Sequence, residues 1–259
     1  MAGGAAYVWG PSVVFFLIAA MAVASLISVL MLPAAAIDYD RARGLRDGSA
    51  TEPIEKPSGL TVLLTCRPLL ILAVCAVLFH FANAAMLPLV GQKLALQDKN
   101  LGTSLMSACI VGAQVIMVPM AIVVGRKANR WGRKPLFLAG FIILPIRGVL
   151  YTLSNDPYWL LGVQLLDGIG AGLYGALLPL IVADLMAGTG RFNVALGAVM
   201  TAQGIGASLS TTAAGVIVVE AGYSAAFLTL AAIAGAALLL FWSAMPETWR
   251  PDKRADMAA

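Results

Sequence analysis

Residues 135–182 read PLFLAGFIILPIRGVLYTLSNDPYWLLGVQLLDGIGAGLYGALLPLIV. Two apolar runs flank a short polar turn, Ser154–Asn155–Asp156–Pro157. Each run is about 20 residues long, the length an α-helix needs to cross a bilayer. Each carries a single charge in its middle, Arg147 in the first and Asp167 in the second. A charge at the bilayer centre costs about 3 kcal/mol or more, so it is retained for a partner or a function. The runs are continuous and do not alternate, so they predict helices and not barrel strands.

The rest of the chain repeats this pattern. Hydrophobic residues make up 60% and charged residues 12% of the 259 positions. Soluble domains carry roughly 25% charged residues. With a mean hydropathy of +0.89, the composition excludes an ordinary soluble domain. Seven spans are expected, at 11–36, 69–91, 103–124, 135–154, 158–183, 194–219 and 223–245. The first is too long for a signal-peptide core, and no positive stretch precedes it. The expected fold class is an all-α membrane protein with seven transmembrane helices. The expected domains are a lone helix (1–36), a polar linker (37–68), a six-helix bundle (69–245) and a tail (246–259). One helix plus six has the look of a piece cut from a longer chain.

Orientation follows from Lys and Arg. Arg41, Arg43, Arg46, Lys56, Arg67, Arg126, Lys127, Arg130, Arg133, Lys134, Arg191, Arg250, Lys253 and Arg254 fall on one side. Lys93 and Lys99 alone fall on the other. The first set is expected in the cytoplasm, which puts the N-terminus outside and the C-terminus inside a plasma membrane. The net charge of +4 therefore reflects membrane topology and implies no nucleic-acid partner. Cys66, Cys75 and Cys109 show no metal spacing and read as packing residues. No cofactor and no metal are expected.

Helix rise places the polar residues in depth. Arg147, twelve residues past Pro135, lies about 18 Å above the cytoplasmic side, and Asp167 about 16 Å above it. The two levels agree, so an Arg147–Asp167 ion pair is expected. His80 falls about 16 Å up by the same reckoning. Gln114 and Gln203 also fall near mid-depth, with Asn83 one turn above His80. Tyr174 lies on the glycine-rich span with Asp167. A binding or proton-handling site at the midplane has this form. The plain alternative is a structural ion pair, with Asn, Gln and His bridging helices at about 0.6 kcal/mol each.

Residues 125–134, GRKANRWGRK, resemble the G-x-x-x-D-R-x-G-R-K/R signature of the major facilitator superfamily. The stretch lies between two spans on the basic side. Asn129 stands where the signature carries an acid. Residues 164–175, glycine-rich with one buried polar residue, look like the tenth helix of such transporters. Pro246-Glu247-Thr248 is similar to the usual ending, and residues 188–193, GTGRFN, to bacterial members. The resemblance implies helix six, the central loop and helices seven to twelve of a two-part fold. It implies a secondary transporter, or its C-terminal part, moving a small solute by alternating access. Proton-coupled efflux through a cell inner membrane is the expected form.

The resemblance also implies roles. Asp167, Arg147 and His80 would couple transport to a proton or cation gradient. Asn83, Gln114, Gln203 and Tyr174 would face the solute. Gly125, Asn129, Arg130, Gly132, Arg133 and Lys134 would form a conformational-switch loop. The bilayer and the solute are the expected partners, with a missing N-terminal half or a second copy completing the solute path. The competing readings are a truncated remnant that transports nothing, a seven-helix receptor and an intramembrane enzyme. A retinal receptor would need a lysine inside a span, and none is there. Gly206-Ala207-Ser208-Leu209 lacks the last glycine of a rhomboid-type motif, and no HExxH occurs, so the chain is not expected to be an enzyme.

Overall fold

A computed structural model describes residues 12–33, 38, 59–97 and 99–249. Most of the expected linker and the end of the tail lie outside these residues. Among the described residues there are eight helices and no strand. They are α1 (Ser12–Leu30), α2 (Gly59–Thr65), α3 (Arg67–Ala84), α4 (Met86–Gln97), α5 (Lys99–Trp131), α6 (Arg133–Leu153), α7 (Pro157–Met186) and α8 (Phe192–Ala244). The molecule is an all-α, multi-pass membrane protein.

Seven crossings follow from these helices. Together α3 and α4 make one broken span, Arg67–Gln97. The 53 residues of α8 would measure about 80 Å if straight, enough for two crossings of a core about 30 Å thick. Gly222 divides them, with φ 85 and ψ 172 inside the helix. A left-handed φ is strained for side chains other than glycine, so the chain reverses there. At the opposite end of the scale, the α2 turn forms inside the expected linker and buries Val62. The side chains of α1 are exposed from Phe15 to Leu30.

Helix ends are set locally. Asp156 caps α7 by accepting the Trp159 backbone N–H at 2.8 Å, and Pro157 occupies the first turn, where its missing N–H costs nothing. Pro119, Pro145 and Pro179 sit inside α5, α6 and α7, where each removes a backbone bond and softens the rod.

Packing places the first part of α8 against α3, and α5 against α7, with α6 bridging α7 and α8. The contact between α5 and α7 depends on Gly168. A Cβ there would run into the Ala113 carbonyl and the Ile116 side chain. Small residues permit this close approach where lipid supplies no hydrophobic drive. The centre of the bundle is aromatic. Phe79, Phe137, Phe141, Tyr174 and Phe241 pack ring against ring, some stacked and some edge-on, with centroids 4.8–5.3 Å apart.

Candidate functional site

Three spans meet at Arg147. The residue projects from the middle of α6 and is 2% exposed. Its Nη1 pairs with Asp167 Oδ1 on α7, and its Nη2 donates to Asn83 Oδ1 near the end of α3. Met86 Sδ, at the start of α4, lies 3.2 Å from the same Nη2. Arg147 Nε is buried and has no hydrogen-bond partner. Asp167 keeps 21% of its side chain exposed, so one member of the pair is reachable from outside the core. Burial of both charges is costly unless each is paired and hydrogen-bonded.

The carboxylate has a second support. Gln164 Nε2 donates to Asp167 Oδ2 at 3.2 Å, and Tyr151 Oη donates to Gln164 Oε1. Gln164 is three residues before Asp167, so both lie on one face of α7. Tyr151 is one turn above Arg147 on α6. The result is a continuous chain, Tyr151–Gln164–Asp167–Arg147–Asn83, which crosses from α6 to α7, back to α6 and on to α3. Beside it, the α3–α4 break at Ala85 is held by Ser210 of α8, whose hydroxyl accepts the Ala85 N–H at 3.0 Å.

The remaining expected residues lie apart from this chain. His80 bonds the Ala76 carbonyl through Nδ1 at 3.1 Å. A carbonyl can only accept, so Nδ1 is the donor in that bond. Its ring meets Tyr174 edge-on at 4.8 Å. Tyr174 Oη donates to Gln203 Oε1 at 3.4 Å. His80, Tyr174 and Gln203 thus form a second cluster. Gln114 is exposed on α5 and joins neither group.

At the basic end of the bundle the expected ten-residue loop, 125–134, is mostly helix. Helix α5 continues through Trp131 and α6 begins at Arg133, leaving Gly132 as the turn. Ala, Lys and Arg are good helix formers, and cations in a last turn suit the helix dipole. Gly132 has φ 91. The space its absent Cβ leaves is taken by the Glu247 carboxylate. Glu247 accepts the backbone N–H groups of Arg133 at 2.9 Å and Lys134 at 3.0 Å, two of the orphan donors at a helix start. Arg133 gives Nε to Asp184 at 3.0 Å and Nη1 to Asn129 at 2.9 Å. Its guanidinium lies 4.7 Å from the Trp249 ring. Thr248 Oγ1 reaches Asp184 at 3.3 Å. Gly125 and Arg130 are exposed, and a Cβ on Gly125 would meet nothing within 4 Å.

Sequence reasoning overlooked Tyr151, Gln164 and Met86 as parts of the mid-depth chain. For Gln164 the i, i+3 spacing to Asp167 was a usable signal. Tyr151 and Met86 carried none, because their contacts depend on how helices cross. Among the described residues no group of three His, Cys, Asp or Glu is placed to hold a metal ion.

Comparison with known proteins gives one consistent result. The profile described as Major Facilitator Superfamily matches residues 72–258. Two curated relatives from Mycobacterium tuberculosis are similar, one in strain CDC 1551 / Oshkosh and one in strain ATCC 25618 / H37Rv. Each is described as an uncharacterized MFS-type transporter and is 58% identical over 252 residues. The aligned region covers 97% of this chain and 60% of each relative, so the chain spans well under two thirds of their length.

Proposed function

Because the chain belongs to the major facilitator superfamily, we propose that it forms the second, six-helix part of a proton-coupled secondary transporter, with α1 as the preceding helix. The solute is small and leaves the cell by alternating access. The membrane is the cell inner membrane, with the N-terminus outside and the C-terminus in the cytoplasm. The path is completed by an N-terminal half or by a second copy of this chain. Residues 69–245 make the bundle, and 37–68 link it to the lone helix.

The observation that carries this reading is the buried Arg147–Asp167 pair, tied to three helices and partly open at Asp167. A pair of this kind has two states. With Asp167 charged, Arg147 is held by α7. With Asp167 protonated, that attraction is lost and Arg147 is left with Asn83 and Met86 on the broken α3–α4 span. A proton can thereby bias how two helices sit against each other. His80 is a second protonatable group. Asn83, Tyr174, Gln203 and Gln114 face the solute in this reading. The α5–α6 turn and its Arg133 contacts resist helix sliding until the switch occurs.

The test uses everted membrane vesicles energised by respiration, with an acidic, a neutral and a cationic probe solute (ethidium for the last) tried in turn. Wild-type chain should consume ΔpH as at least one probe enters, and Asp167→Asn should not, with the same amount of inserted protein. Equal ΔpH consumption by both would remove Asp167 from coupling. No ethidium-dependent proton movement with the wild type, the same being true of acidic and neutral probes, would favour a remnant that inserts and transports nothing.

A further inference from the structure

The contacts of Arg147 are uneven around the guanidinium. A guanidinium offers five N–H donors, and those on Nε and Nη2 include two that run side by side. Nη1 has the Asp167 carboxylate, and Nη2 has the Asn83 amide oxygen. Nε has no partner, although it is buried. The remaining neighbour of Nη2 is the Met86 thioether at 3.2 Å, a weak acceptor. The Nε–Nη2 edge of this buried cation thus has an amide oxygen and a sulfur as its acceptors, both on Nη2, and no carboxylate. That is an unusual arrangement, since buried donors are nearly always satisfied.

We propose that this Nε–Nη2 edge is a carboxylate-binding subsite covered by Met86, and that the transported solute carries a carboxylate. The proposal rests on the transporter reading above. A carboxylate presents two oxygens at the spacing of two parallel N–H bonds, so it satisfies Nε and replaces the sulfur in one step. Met86 is suited to be the cover. Its side chain is unbranched and flexible. It is fully buried and follows the Ala85 break directly, so motion at that break moves it. Asp167 stays on Nη1 while the solute binds. The site then holds two carboxylates on one guanidinium, a net negative charge that a co-bound proton or cation offsets. A neutral amide of the same shape brings only one acceptor oxygen and no charge, so it is rejected.

The experiment uses the full 259-residue chain purified in detergent, with benzoate and its neutral isostere benzamide as probes. Thermal unfolding is followed as each probe is titrated, because a ligand that binds the folded state raises the midpoint. Benzoate should raise it saturably and benzamide should not. Met86→Ala should tighten the benzoate response by on the order of tenfold, since the uncovered state becomes the ground state. Arg147→Lys keeps the charge but loses the fork, and should weaken the response at least about tenfold. The proposal is overturned if benzoate is without effect on both wild type and Met86→Ala, the result expected where Nε is served by a water alone. Equal responses to the two probes, or an unchanged response in a folded Arg147→Lys, overturn it as well. The vesicle ΔpH assay separates this from the coupling proposal. Lost coupling with intact benzoate binding leaves the subsite standing, and intact coupling with no benzoate response leaves coupling standing.

Discussion

Arg147 and Arg133 have nearly the same burial, 2% and 3%, and each pairs with an aspartate that is 21% exposed. Their surroundings differ. Arg133 has Asp184 on Nε, Asn129 on Nη1 and the Trp249 ring against its guanidinium. Arg147 has one orphaned nitrogen and one thioether among its neighbours. The first pair is a closed contact near a helix end, where water is close. The second is incomplete and lies in the middle of the apolar spans. Two arginine–aspartate pairs of equal burial can thus do different work, and the unsatisfied donor distinguishes them.

The largest effect is expected at mid-depth. Arg147→Ala strands Asp167 among apolar helices and should cost about 3–5 kcal/mol of stability. Adding Asp167→Ala should restore part of that loss, measured as a double-mutant cycle on unfolding in detergent. Additive losses would mean that the two side chains do not interact. Arg133→Ala should cost less, about 1–3 kcal/mol, because Asp184 lies in the last turn of α7 and keeps its Thr248 donor, whereas Asp167, equally exposed, lies in the middle of an apolar span. A larger loss at Arg133 than at Arg147 would break the comparison. Glu247→Ala, which uncaps α6, should cost about 1–2 kcal/mol. The smallest change is Tyr151→Phe, about 0.6 kcal/mol, since it removes one interhelical hydrogen bond and leaves the ring packed. All three are read from the same unfolding curves.

Much of this was legible before any coordinates. Apolar length located the crossings, because the bilayer imposes a length on every span. Arg147 and Asp167 stood out because charge is rare in such spans. Other features depend on contacts far apart in the chain. Glu247 caps a helix more than a hundred residues earlier, and Ser210 holds the break at Ala85 from another helix. No local pattern marks either. The helical continuation at 125–131 was hidden by its glycine and its charges, which are as common in loops as in a helix end that faces water.

The most direct test sets the two aspartates side by side. Asp167→Asn and Asp184→Asn are each placed in vesicles, and solute flux is measured with and without an imposed ΔpH. The account predicts that Asp167→Asn flux no longer responds to ΔpH. Asp184→Asn should change the rate of flux while keeping its response to ΔpH. The opposite pattern, with ΔpH dependence lost at Asp184 and kept at Asp167, would contradict the assignment of coupling to the mid-depth pair.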